Sequence, residues 1–294
     1  MLKGRLGLET ARVPHSDRHG LLTISRGELY VNDGTLRFKT GGGTLPSGDY
    51  AIPFQALSCI LAGPGTSVTH DALRLLARHG TGFVATGEDG VRHYASMPFG
   101  PDDSSLARSQ ARRWADPKKR VDVARRMYAW RFGEVLPVTD IAALRGIEGV
   151  RVKETYALQA RQHGITWRGR HYDRGDPSKN DVPNNALNHA ASAVEAAAAV
   201  AVAVCGALPQ LGFIHEDSGM SFVLDVADLL RAEVTIPVAF AAARQAMQDG
   251  EDVERATRRL AGKTMRDRKV IPGMIDRIKE LFDGDDGGGD AGRA

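Results

Sequence analysis

The chain has 294 residues, 42% of them hydrophobic and 26% charged, the composition of a soluble globular protein with room for one or two domains. Its two cysteines, Cys59 and Cys205, are far apart, which argues against a disulfide framework and a zinc knuckle; the net charge of +3 argues only weakly for any partner. No apolar h-region opens the sequence, so no secretory signal is read and a cytoplasmic location fits.

From about residue 21 to 96 the pattern is one of short strands. Leu21–Ser25 and Glu28–Asn32 are β-type runs, and Asp33-Gly34 is a hairpin signal leading into Thr35–Lys39. Glycine and proline clusters punctuate before Tyr50–Pro53 and Leu57–Ala62. Gly63-Pro64-Gly65 then turns the chain into one helix, Asp71–His79, capped by Thr69. Gly82–Thr86 and Val91–Ser96 complete a small β domain, residues 1–97. Pro98-Phe99-Gly100-Pro101 lies in a linker, 98–104.

The stretch 105–282 reads as helical: Ser105–Trp114, Pro117–Phe132, Asp140–Gly164, Pro183–Cys205, Ser221–Ala232, Pro237–Gln248, Asp252–Arg268 and Pro272–Phe282. Thr166–Asp173 reads as a hairpin or loop excursion. The apolar run centred on Ala196–Val204 is too short to cross a bilayer and reads as a buried helix. Residues 283–294, rich in glycine and aspartate, cannot bury anything and read as a disordered tail. The fold class is therefore α+β, a small β domain followed by a larger all-α domain.

Three positions break the apolar pattern. Ile141, Leu144, Glu148, Val152 and Tyr156 share one helix face, so Glu148 sits on the stripe directed at a core. A lone buried carboxylate must be paired, protonated or metal-bound. Gly146 and Gly149 beside it weaken the helix and clear space for a backbone or ligand. The alternative for Glu148 is a salt bridge to an arginine of a neighbouring helix. His215 follows an apolar run directly. Asp225 and Asp228, spaced i, i+3 in an apolar helix, require something cationic between or beside them. Carboxylates with one imidazole suit Mg2+ or Mn2+ better than zinc, and few protein ligands leave room for water and phosphate. No Walker loop or Gly-x-Ser-x-Gly elbow occurs.

Between Leu106 and Arg131, nine basic side chains face two acids, leaving +7 locally. Arg112, Arg113, Lys118, Lys119 and Arg120 could track a duplex backbone without reading sequence, a hydrated surface being the alternative.

Five stretches resemble the CRISPR-associated integrase/endonuclease family of spacer acquisition, in its type I-E branch. They are Leu-Arg-Gly-Ile-Glu-Gly with Tyr-Ala-Leu following (144–158), Gly-Ile-Thr-Trp-Arg-Gly-Arg-His-Tyr-Asp (164–173), Gly-Phe-Ile-His (212–215), Ser-Phe-Val-Leu-Asp-Val-Ala-Asp (221–228) and Gly-Pro-Gly-Thr-Ser-Val-Thr-His (63–70). The resemblance implies a homodimer, two of which sandwich a small dimeric partner protein. It also implies a metal site of Glu148, His215 and Asp228 supported by Asp225. The reaction implied is transesterification, in which the 3′-hydroxyl of a short duplex (the prespacer) attacks a repeat array. Metal-dependent nuclease activity accompanies it. Arg145, Lys153 and Arg170 are candidate phosphate contacts. The chain departs from the family pattern at Arg26, where a tyrosine can stack on the duplex end, and at Ser67, where an arginine can stand. Two other readings stay open: a non-catalytic DNA-binding scaffold and a metal hydrolase of small phosphate esters.

Overall fold

The computed structural model describes residues 20–43, 45–96, 104–138, 140–171 and 180–282. Residues 1–19, most of the linker, Tyr172 and Asp173 of the 166–173 excursion, and the Gly/Asp tail lie outside them. Two compact units form, Met1–Glu88 with His93–Ser104, and Asp89–Arg92 with Ser105–Ala294.

In the first unit β1 (Gly20–Ile24) is followed by a hairpin of β2 (Gly27–Asn32) and β3 (Thr35–Thr40). Asp33 and Gly34 close it with φ of 48° and 74°, the left-handed pair that a two-residue turn between twisted strands requires. Then come β4 (Gly48–Ala51), β5 (Leu57–Ala62), β6 (Thr66–Val68), α1 (His70–His79), β7 (Gly82–Thr86) and β8 (His93–Ser96). The strands make two four-stranded sheets, ordered β1-β5-β7-β8 and β4-β3-β2-β6. In the first, β1, β5 and β7 run parallel and β8 antiparallel; in the second, only the β2–β6 pair is parallel. Alternation on β3 sends Leu36 and Phe38 inward, where they meet Ile24, Leu29, Ile60, Ala72 and Leu76 in one apolar cluster. Thr69 caps α1 by accepting the Ala72 N–H. The short strand β6 was not apparent in sequence, because three residues carry no readable period.

The second unit contains α2 (Ser105–Ala115), α3 (Pro117–Phe132), α4 (Ile141–His163), α5 (Val182–Cys205), α6 (Ser221–Asp228), α7 (Ile236–Asp249), α8 (Val253–Asp267) and α9 (Val270–Phe282). Aspartates at 116, 140, 181 and 252 cap α3, α4, α5 and α8 through their side chains. The 24-residue α5 is the axis of the unit, with α6, α7, α8 and α9 packed on it. Its alanines at 190, 193, 197, 198 and 201 are buried and let neighbouring helices approach closely. The stretch read as a buried helix is one: α5 as a whole is long and apolar enough to span a membrane by length and composition, but two-thirds of its apolar window is buried inside the protein, as in a core helix.

One helix boundary differs from expectation. Instead of running from Ser221 to Ala232, the helix ends at Asp228, and Arg231–Thr235 form a π turn. Thr235 N–H donates to the Leu230 carbonyl at 3.1 Å, an i→i−5 bond. Pro237 lacks the N–H that would reach the Glu233 carbonyl, which accepts from Arg268 Nη1 at 3.0 Å instead.

Candidate active site

The loop between α5 and α6 places His215. Asp225, fully buried in α6, accepts the backbone N–H groups of Phe213 at 2.6 Å, Ile214 at 3.1 Å and His215 at 2.9 Å. Its Oδ1 also lies 2.7 Å from His215 Nδ1. That contact assigns the ring proton to Nδ1 and leaves the Nε2 lone pair free, facing Asp228 Oδ2 at 3.9 Å. The hydrogen bond that the ring donates to Asp225 and the charges of Asp225 and Asp228 hold the imidazole above its ordinary pKa, against the opposing effects of burial and Arg231. Gly212 makes the tight approach possible: a Cβ there would lie 2.6 Å from Ser221 Cβ and would collide with the His215 carbonyl.

Glu148 and Asp228 share two arginines. Arg131 of α3 pairs with Glu148 and has Nη2 3.6 Å from Asp228 Oδ2. Arg231, in the π turn, reaches Asp228 Oδ1 at 2.5 Å and Glu148 Oε1 at 3.9 Å. One guanidinium thus spans both carboxylates, and His215 faces the second of them. Glu148 and Asp228 are 14% and 11% exposed at the side chain, so the acids are sheltered but reachable. Tyr128 beside Glu148 has its phenol pushed up to about 12 by burial, with the charge of Glu148 adding.

Several expectations change here. The arginine alternative for Glu148 is realised; Arg131 and Arg231 link the acid to Asp228, and His215 Nε2 lies 3.9 Å from Asp228 Oδ2. Asp225 and Asp228 do not share a cation: backbone N–H groups and the imidazole serve Asp225, while Arg231 serves Asp228. Gly146 and Gly149 admit no neighbouring segment; a Cβ at either would meet open space.

Of the basic candidates, Lys153, Arg112, Lys118 and Lys119 are exposed. The others are engaged within the protein. Arg145 donates to the Ile214 carbonyl, so it steadies the His215 loop. Arg170 donates to Asn184 Oδ1 at 3.1 Å and Asn188 Oδ1 at 2.6 Å. Arg113 reaches Ser109 Oγ and the Phe282 carbonyl, each at 3.4 Å. Arg120 pairs with Glu216 at 2.6 Å and stacks on Trp114.

Sequence reasoning missed three residues at this centre: Arg131 and Arg231, which neutralise the acids, and Glu195. The half-buried Glu195 carboxyl is raised by desolvation and by the charge of Asp228, with Arg231 and His215 opposing. A carboxylate inside the alanine run 190–203 was the available signal.

Among the described residues no group of three or more His, Cys, Asp or Glu is closed around a common point. The donor set nevertheless fits a hard divalent cation. It offers two carboxylates within one guanidinium's span and an imidazole anchored for Nε2 ligation. Among the described residues, Arg131 Nη1 is buried without a hydrogen-bond partner.

The family model described as "CRISPR associated protein Cas1" matches residues 21–138 and 131–271. The CRISPR-associated endonuclease Cas1 of Geobacter sulfurreducens is 38% identical over 273 residues, 92% of this chain and 86% of the relative. That of Escherichia coli (strain K12) is 38% identical over 273 residues, 92% and 87% of the two chains. Among solved structures, the TtCas1–DNA complex superposes with a TM-score of 0.82 at 34% identity, covering 91% of this chain and 98% of the other. A casposase bound to its integration product shares the fold, with a TM-score of 0.60 at 14% identity over 89% and 95%. With its acids, imidazole and arginines gathered in the helical unit, the chain belongs to the Cas1 family of CRISPR adaptation.

Proposed function

We propose that the protein is a metal-dependent DNA endonuclease and integrase of CRISPR adaptation, joining the 3′-hydroxyl of a short duplex to a repeat array by transesterification. What supports this reading is the linkage of Glu148 on α4 to Asp228 on α6 through Arg131 and Arg231, with His215 Nε2 3.9 Å from Asp228 Oδ2. Those three side chains would hold Mg2+ or Mn2+, which when bound supplies Lewis-acid neutralisation of phosphate charge. Asp225 fixes the imidazole tautomer and aim. Arg131 and Arg231 keep the two carboxylates from repelling each other and offer N–H donors to non-bridging phosphate oxygens. Lys118, Lys119 and Arg112 would follow the duplex backbone. A homodimer and a small dimeric partner belong to the same reading.

Strand transfer from a short duplex into supercoiled plasmid, with and without Mn2+, tests it. Glu148→Ala and Asp228→Ala are expected to abolish transfer while duplex binding persists; full activity of either in excess metal would overturn the reading. The pairing of Glu148 with Arg131 favours one competitor, a non-catalytic DNA scaffold. Calorimetric titration separates the two, because a scaffold would show no Mn2+ binding that Glu148→Ala removes.

A further inference from the structure

Gln110 has none of its surface exposed and is the one residue of α2 that is fully buried. Its amide is fully used. The side-chain oxygen accepts the Leu208 N–H at 2.7 Å, and Nε2 donates to the Leu208 carbonyl at 2.9 Å and the Leu211 carbonyl at 3.0 Å. One turn later, Trp114 Nε1 donates to the Gly212 carbonyl at 3.0 Å. Arg120 lies over Trp114, 5.4 Å from its centroid, and pairs with Glu216. The segment 208–216 is therefore gripped from α2 and the start of α3 on one flank, and by Asp225 at residues 213–215. His215 is its only imidazole.

We propose that Gln110 is a positioning residue for His215, fixing where the 208–212 backbone begins so that Asp225 can aim the ring at Asp228. No other side chain in the described residues bonds both the N–H and the carbonyl of Leu208; backbone bonds from Leu211 N–H to the Leu208 carbonyl at 3.2 Å and from Phe222 N–H to the Pro209 carbonyl at 2.8 Å hold the same stretch, and this amide joins it to α2. Asp225 alone fixes the direction of the imidazole but not the origin of the segment carrying it. The role rests on the reading of His215 as a metal ligand; its readouts are chosen to separate the two.

Gln110→Met keeps the volume and removes the hydrogen bonds. Three measurements are made on the full chain: thermal unfolding, titration with Mn2+ alone followed by electron paramagnetic resonance, and metal-free amide exchange at residues 212–215. The expected result is a folded protein whose Mn2+ dissociation constant rises about 10-fold, the lower end of the range for groups that orient metal ligands. Exchange of the His215 amide quickens, and strand transfer recovers at high Mn2+. Gln110→Glu sets a carboxylate against two carbonyl oxygens and is expected to act at least as strongly. Trp114→Phe drops only the Gly212 bond and should shift Mn2+ affinity less, in the same direction. Met265→Ala, in the core at α8, provides a destabilised control with unchanged Mn2+ affinity. A folded Gln110→Met with native exchange and native Mn2+ affinity overturns the proposal, as does an equal loss in Met265→Ala. Should Gln110→Met not fold, native affinity and exchange in Trp114→Phe overturn it. If the unsubstituted protein binds no Mn2+ through His215, the ligand reading fails separately, and metal-free exchange still decides whether Gln110 places the loop.

Discussion

Four contacts from one carboxylate determine what His215 can do. Because Asp225 Oδ1 faces Nδ1, the ring presents Nε2 outward, and the same contact favours the imidazolium. Ligation needs the neutral ring, so proton and metal compete for one nitrogen. With the folded pKa above the ordinary 6.5, strand transfer is expected to hold at alkaline pH and to fall as pH drops through the raised value, nearer neutrality than for a free imidazole. Asp225→Asn removes the largest cause and should move the midpoint down. A transfer profile flat from about pH 5 to 8 would contradict ligation by His215. The linked stability has the opposite sign. The favoured cation contributes stability that is complete below pH 6.5 and lost as pH rises through the folded value. Acids on apolar stripes made Glu148, Asp225 and Asp228 legible in sequence. Arg131, Arg231 and Gln110 were not, since a side chain's long-range partner leaves no local periodicity.

At the scale of elements, turns and caps were the most legible features because their causes are local. Asp33-Gly34 needs left-handed backbone, Thr69 and Asp140 supply N-caps, and Gly164 ends α4 with φ of 63°. The π turn after Asp228 was hidden, because Ser221 to Ala232 reads as an unbroken apolar helix. Its effect is to rotate Arg231 toward Asp228 and Glu148 rather than continuing the face of α6. π turns of this kind recur at functional sites. The small-residue helix α5 has its own consequence. Ala197 is wholly buried, so Ala197→Leu should destabilise the fold by about 1–3 kcal/mol through overpacking, read from urea unfolding midpoints. An unchanged midpoint would mean that the helices around α5 yield more readily than close packing allows.

For the whole molecule, charge is more telling in its distribution than in its sum. The net +3 conceals nine basic side chains between Leu106 and Arg131, opposed there by only two acids. Folding differentiates that set: Arg113, Arg120 and Arg131 are partly or wholly buried and paired within the protein, and Arg112, Lys118 and Lys119 have exposed side chains. A phosphate-tracking surface at this corner predicts duplex affinity falling linearly in log–log form with salt. Lys118→Glu should weaken binding to all sequences alike and reduce the slope by about 1. Fluorescence anisotropy across a salt series measures it, and an unchanged slope would move the duplex path elsewhere. The sequence showed the charge run, but not which members the fold would take for itself.

The crowding at Gly212 has a consequence for how this sequence can vary. No methyl fits between Ser221 and the His215 carbonyl, so the backbone there is selected directly. In saturation mutagenesis, Asp217 should tolerate broad replacement, while position 212 should reject even alanine. Keeping His215 in its present position would then require a neighbour three residues upstream that contributes no chemistry, only the absence of a side chain.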